Sequence, residues 1–137
     1  MPEARDEPYP NMRFRVEIDG LGETRAVEVV FPEARLVPAE ERRRTVQYGT
    51  LVLRRGLTES PAWQDWWNEA RVGRAEVKRA VVVLLLDARG RDVRQWRFEG
   101  AEPVAYLLSS LSALGHEPLI ETLELSVDGF ESTTASA

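Results

Sequence analysis

Apolar and polar residues alternate through much of the chain, and the period of that alternation predicts its elements. Phe14, Val16 and Ile18 alternate with Arg13, Arg15, Glu17 and Asp19, the period-two signature of a strand with one buried face. Asp19-Gly20 begins a turn supported by Gly22, and a second alternating run places Val27, Val29 and Phe31 on one side. The Asp-Gly signal and the short spacing predict that these two runs pair as a hairpin. Pro32 to Arg44 is the least regular stretch; with Pro38 and Glu40-Glu41-Arg42-Arg43-Arg44 it reads as a loop or a short helical turn. Thr45 to Arg54 returns to strand character, and Gly56 closes it.

One segment has helical period. Ser60-Pro61 opens it: the serine hydroxyl suits an N-cap and proline the first helical position. Trp63, Trp66, Trp67 and Ala70 then fall at i, i+3, i+4 and i+7 as one apolar stripe, opposite Asp65, Asn68 and Glu69, and Gly73 offers a stop. Val77 to Leu86 is apolar on both faces over its second half, which predicts a central strand covered on both sides. After the turn Asp87-Ala88-Arg89-Gly90, Val93 to Glu99 alternates again. Glu102 to Leu107 forms another strand, whose Pro103 favours a beginning or an edge. Ser109 to Glu117 is a loop. Leu119, Leu123, Leu125 and Val127 then alternate with Ile120, Thr122, Glu124 and Ser126 in the last strand.

These elements make a mainly β (β-rich α+β) chain: an antiparallel sandwich or partly closed barrel of six to seven strands with one flanking α-helix. Residues 1–11 read as a proline-punctuated N-terminal arm, 12–131 as a single domain and 132–137 as a frayed tail. At 137 residues the chain is long enough to bury roughly two-thirds of its unfolded surface.

Composition narrows the chemistry. There is no cysteine and a single histidine, so thiolate sites and multi-histidine metal sites are excluded. The net charge of −5 argues against bulk affinity for nucleic acid. The longest apolar run, Ala80 to Leu86, is too short to cross a bilayer as a helix, and the N-terminus lacks the apolar core of a signal peptide. The expected location is the cytoplasm, with no membrane insertion.

No catalytic, cofactor-binding or metal site emerges, and no cofactor is expected. His116 sits in a loop without a partner arrangement for acid–base work and reads as a solvated loop residue. Gly20-Leu21-Gly22 follows a strand but leads into another strand, unlike a phosphate loop, which leads into a helix. Arg42-Arg43-Arg44 adjoins Glu40 and Glu41 and reads as a charged loop or an inter-subunit contact, not a basic nucleic-acid footprint. The tryptophan stripe is read as core packing. The ligand-binding alternative makes the chain a stand-alone β-barrel module whose tryptophans contact a small molecule.

The order of motifs resembles the tail-tube proteins of contractile phages, whose relatives form the inner tube of extracellular contractile injection systems. Pro10-Asn11-Met12-Arg13-Phe14-Arg15-Val16-Glu17-Ile18-Asp19-Gly20 resembles the family's opening segment. Tyr48 to Thr58, a strand ending in Arg55-Gly56, resembles its most recognisable segment and leads into the helix of Trp66-Trp67. Leu85-Leu86-Asp87 through Trp96-Arg97-Phe98 resembles the next hairpin, and Glu121-Thr122-Leu123-Glu124-Leu125 with Asp128-Gly129-Phe130 the closing strand.

The resemblance implies a non-enzymatic structural subunit that forms hexameric rings, stacked as a hollow tube inside a sheath, with baseplate and spike partners and DNA or protein cargo in the lumen. No sequence-specific nucleic-acid binding is implied. Phe31 to Gln47 departs from the family, being shorter and lacking the tyrosine-arginine-glutamate-glycine-glycine stretch and leucine-proline-glycine turn of a hairpin that interlocks neighbouring subunits. That departure introduces a tube-initiating paralogue at the baseplate end as an option. Association through strand edges is expected, with the polar face of Glu17 or that of Glu124 lining the channel.

Overall fold

The computed structural model describes residues 7–10 and 13–134. The chain order is β1 (Phe14–Ile18), β2 (Gly22–Thr24), β3 (Glu28–Val30), β4 (Ala34–Pro38), β5 (Arg44–Tyr48), β6 (Leu51–Gly56), α1 (Ala62–Arg71), β7 (Arg79–Leu86), β8 (Asp92–Leu108), β9 (Ile120–Ser126) and β10 (Gly129–Thr134). The predicted fold class holds: antiparallel strands dominate, the sheet is not closed, and one α-helix flanks it. Among the described residues the strands number ten rather than six or seven.

The 17-residue β8 organises the sheet. Along one side it pairs with β9 and β10 in succession, from Leu108↔Glu121 to Arg94↔Thr134. Its N-terminal part also pairs with β7, from Ala101↔Arg79 to Asp92↔Leu86, and β1 and β2 follow beyond β7. Beyond β9 come β6 and then β3. Two half-sheets, β2-β1-β7-β8-β10 and β8-β9-β6-β3, therefore share one strand.

The bend between them is at Gly100, whose φ of 62° favours glycine. A Cβ there would overlap the Asp128 carboxylate, because the β9–β10 corner crosses directly over it. The Asp128 N–H donates to the Glu99 carbonyl at 2.8 Å, and Lys78 Nζ donates to Asp128 Oδ2 at 3.0 Å. That hydrogen bond, with the carboxylate's charge, holds the Lys78 ammonium above its ordinary pKa.

Several local expectations are corrected. The runs 13–19 and 27–31 do not pair with each other: β1 pairs with β2 at Val16↔Thr24, whereas β3 pairs with β6. The Val27 N–H already donates to the Arg54 carbonyl at 2.7 Å, so the chain has crossed to the other half-sheet. Pro32 to Arg44 is most of a hairpin, β4 and β5, and the short helical turn expected there is the 3-10 turn at Glu40–Arg42 that joins them. Thr45 to Arg54 is two strands, separated where Gly49 N–H donates to the Glu33 carbonyl. Val93 to Glu99 and Glu102 to Leu107 are one bent strand. Ser132–Thr134, read as the start of a frayed tail, continue β10 opposite Trp96, Gln95 and Arg94. Most of the expected N-terminal arm and the last three residues lie outside the described residues.

The helix starts one residue later than the serine signal placed it. Pro61 is the N-cap, and Ser60 Oγ accepts from the Ala62 N–H at 3.4 Å. Gly73, at φ 76°, ends it as expected. Trp63 and Trp66 are each 1% exposed, packed with Val16, Ile18, Val81, Phe98, Leu51, Leu53, Leu123 and Leu125 in the core. Trp66 Nε1 donates to the Val77 carbonyl at 2.7 Å, which satisfies the buried indole. Trp67 is half-buried.

One pair of charges is sealed in with them. Arg55 Nε donates to Glu121 Oε1 at 2.8 Å, with the side chains 9% and 1% exposed. Arg55 Nη1 donates to Thr24 Oγ1 at 3.0 Å, and its guanidinium lies 4.3 Å from the Trp63 ring centroid. The Tyr106 hydroxyl donates to the other Glu121 oxygen. Burial first, then the hydrogen bond to Glu121 and its charge, push the Tyr106 phenol up to about 12. Glu121 thus occupies an inward position of β9 between Leu119 and Leu123, where alternation alone would put another apolar residue.

Three outcomes follow. Trp63→Ala and Trp66→Ala should each lower the unfolding free energy by about 3–5 kcal/mol in urea titrations. Glu121→Ala should cost about 3–5 kcal/mol by leaving a buried guanidinium unpaired, whereas Arg55→Met with Glu121→Leu and Tyr106→Phe should recover most of the loss. The Tyr106 phenol, raised above its unfolded value, contributes stability in full below about pH 10 and loses it as pH rises through about 12. Tyrosinate absorbance should show one late-titrating phenol in the native protein that Tyr106→Phe removes.

Candidate assembly surfaces

The residues that sequence singled out for chemistry are not brought together. His116 is exposed in the 109–119 loop, with no hydrogen-bond partner among the described residues. Arg43 and Arg44 are exposed where the 3-10 turn enters β5. Gly20 and Gly22, at φ 79° and 77°, make the β1–β2 turn. Among the described residues no group of three or more histidine, aspartate or glutamate side chains is placed to hold a metal ion. No helix among them is long and apolar enough to cross a membrane.

What the surface does offer is strand edges. In the half-sheet β8-β9-β6-β3, residues 102–108 of β8 pair with β9 alone and β3 pairs with β6 alone, so both ends are open. Exposed apolar side chains gather on these two edges: Val27 and Val30 on one, Val104, Leu107 and Leu108 on the other. The edges of the other half-sheet, β2 and β10, carry Glu23, Thr24 and Glu131 to Thr134 instead. An open edge with apolar side chains is an association surface.

Between the two apolar edges the outward face is a ladder set by register. One row runs Leu107, Thr122, Arg54, Glu28, and the next Ala105, Glu124, Val52, Val30. Arg54 ties its row together, donating from Nε to Thr122 at 3.3 Å and from Nη1 to Glu28 at 3.2 Å. The Glu17 face of the other half-sheet is more densely charged. Arg15 lies 3.3 Å from Glu17 and 3.7 Å from Asp92, beside the buried Leu84.

The β4–β5 hairpin forms a sheet of its own. Its Leu36↔Val46 pair is half-exposed, and its base meets the fold where the Tyr48 ring packs edge-on against Phe130 at 5.6 Å. A two-stranded hairpin is marginal alone, so this one gains from a neighbour. Sequence reasoning missed it because no Asn-Gly or Asp-Gly turn marks it; Glu41, at φ 59°, takes the left-handed position without a glycine.

The two ends of the sandwich differ. Near Ile18 and Val77, α1 covers the core with Trp63 and Trp66. At the other ends of β1 and β7 the core is open as a cleft of about 750 Å³, lined by Phe14, Phe31, Val83, Leu85 and Trp96 and by Val27, Glu28 and Val29 beside the β3 edge, with Tyr9 and Pro10 at its mouth.

Comparison with known proteins agrees with this architecture. A family model described as T4-like virus tail tube protein gp19 matches residues 10–131. A chain of the anti-feeding prophage baseplate superposes with a TM-score of 0.70 at 22% identity, over 95% of this chain and 98% of that one. A chain of the extended PVC sheath-tube complex, an extracellular contractile injection system, gives 0.73 at 18%, over 95% and 94%. Hcp1 from Flavobacterium johnsoniae gives 0.66 at 14%, over 90% and 97%. Curated protein sequences give no match. With nearly the whole described chain matched in one continuous span, the protein belongs to the T4-like virus tail tube protein gp19 family.

Proposed function

We propose that the chain is a non-enzymatic structural subunit of a contractile phage tail or injection system, assembling with itself into hexameric rings that form or initiate the inner tube. Sheath, baseplate and further tube rings are its partners, the bacterial cytoplasm its place of assembly, and DNA or protein its cargo. The observation that carries this reading is the pair of open, apolar edges at opposite ends of one half-sheet. Residues 102–108 of β8 in one copy meet β3 of the next. Such a head-to-tail contact closes as a ring and leaves no edge of that half-sheet exposed.

Closing the edges in this way turns the Glu28-Arg54-Thr122 and Glu124 ladder into a continuous inner wall. Its charges are few, Arg54 is paired with Glu28, and Val30 and Leu107 lie at the edges that the neighbour covers. Such a wall stays hydrated without large apolar patches that would hold passing cargo. The short β4–β5 hairpin, still present, supplies a stacking contact between rings. The ligand-binding alternative is disfavoured because the tryptophans it needs, Trp63 and Trp66, are enclosed by the core.

Electron microscopy of the concentrated protein tests the reading. Rings stacking into tubes identify the main tube subunit, and single rings that accept another tube protein identify the initiator. A strict monomer at high concentration overturns it. Leu107→Glu should abolish rings while leaving the melting temperature within about a degree or two, since an exposed substitution typically shifts stability by less than about 0.5 kcal/mol. With no native cysteine to interfere, Glu124→Cys should be shielded in rings from a maleimide too large for the channel, and Glu17→Cys should not. Equal reactivity of Glu124→Cys in rings and monomers overturns the lumen assignment.

A further inference from the structure

Two largely apolar features remain that the lateral ring contact does not fill. The first is the open cleft bounded by Phe14, Phe31, Leu85 and Trp96, whose remaining wall, Val27, Glu28 and Val29, borders the β3 edge used laterally. The second is the 109–119 loop, whose Leu111 and Leu114, 83% and 91% exposed, are the most exposed large apolar side chains among the described residues. The loop has a defined shape. Its base is closed by the Ser109 N–H to the Ile120 carbonyl at 2.9 Å and the Ile120 N–H to Ser109 Oγ at 2.8 Å. At its tip the Gly115 N–H donates to the Ser112 carbonyl at 3.2 Å.

We infer that the 109–119 loop of one copy seats Leu111 and Leu114 in the Phe14–Phe31–Trp96 cleft of a second copy. The contact rests on the tube reading only for its direction, which is along the tube axis, from ring to ring. A protruding apolar tip and an apolar cleft on the same molecule form a heterologous pair, and such pairs build open stacks when they cannot close.

The loop cannot fill the cleft of its own chain. Trp96 precedes the bend at Gly100, and Leu108, where the loop begins, lies eight residues beyond it, roughly 26 Å further along a strand that rises about 3.3 Å per residue.

Charge supports the same pairing. Arg13, Arg89 and Arg94 surround the cleft end of the molecule and make no ion pair among the described residues. Arg13 Nη2 donates to the Ala88 carbonyl at 3.4 Å, and the Arg94 guanidinium lies 5.8 Å from the Trp96 ring. In the loop Glu117 is exposed and likewise unpaired among the described residues. Docked leucines bring it against those guanidiniums, which fixes the orientation of the contact more than its strength.

Cysteine pairing tests this in the full chain. A Leu114→Cys protein is mixed with an isotope-labelled Phe31→Cys protein under mild oxidation, and the mixed disulfide is quantified by mass. The control replaces Phe31→Cys by Val72→Cys, a more accessible position at the helix C-terminus, 62% exposed against 43% for Phe31. The mixed disulfide should form at least tenfold faster with Phe31→Cys than with the control, and Leu111→Asp in the loop partner should remove the advantage. Should Phe31→Cys fail to fold, Tyr9→Cys at the cleft mouth takes its place. Equal rates overturn the inference. Rings without the preferred disulfide overturn it while leaving the tube reading intact, whereas the preferred disulfide without rings sustains the docking contact and overturns the tube reading.

Discussion

The fold depends on a single strand belonging to two half-sheets. Because β8 pairs with β9 and β10 along one side and with β7 over only its first part, each half-sheet inherits its register from the same backbone. A slip of one residue anywhere on β8 would turn Phe98, Tyr106 and their neighbours outward on both halves at once. The bend at Gly100 decides how the halves face one another, and Asp128 crossing above it leaves no room for a side chain. The core, the open edges and the cleft are consequences of that shared ladder.

The Arg55–Glu121 pair adds specificity where hydrophobic packing cannot. Apolar residues of similar volume would tolerate several registers between β6 and β9, whereas a bound guanidinium and carboxylate tolerate one, Arg55↔Glu121. The same guanidinium reaches Thr24 and stacks over Trp63. It therefore fixes β2, β6, β9 and α1 relative to each other, at the point where helix and sheet meet.

Much of this was legible in sequence, and the remainder has physical reasons for being hidden. The alternation of Phe14, Val16 and Ile18 and the helical stripe of Trp63 and Trp66 announce one buried face each, and both faces are in the core. Partner choice is not local: nothing near Val27 says that it joins Arg54 rather than β1. Gly100 and Pro103 read as breaks, yet glycine permits the bend, and proline needs no donor on a stretch that has a partner on only one side. Glu121 looks like a solvated carboxylate because its partner lies 66 residues away. Of the β4–β5 hairpin only β5 read as strand; β4 has no core-facing row and leaves no periodic signal. The assembly surfaces were harder still, because a residue that waits for a neighbour has the same pattern as one that meets water. There the ordered set of family-like segments, from Pro10 to Phe130, carried more information than any periodicity.

The placement of β9 has a consequence for how the chain matures. It lies between β8 and β6, and β6 with β3 joins the main sheet only through it. During synthesis, β1 emerges before β7, β6 before β9, and α1 before the β8 strand it packs on. The half-sheet that carries the two open apolar edges cannot be completed until the ribosome has passed Ser126. A nascent chain therefore displays no finished edge to a neighbouring subunit. For the proposed ring contact, this order defers association until folding is nearly complete, at the expense of slow, non-local closure.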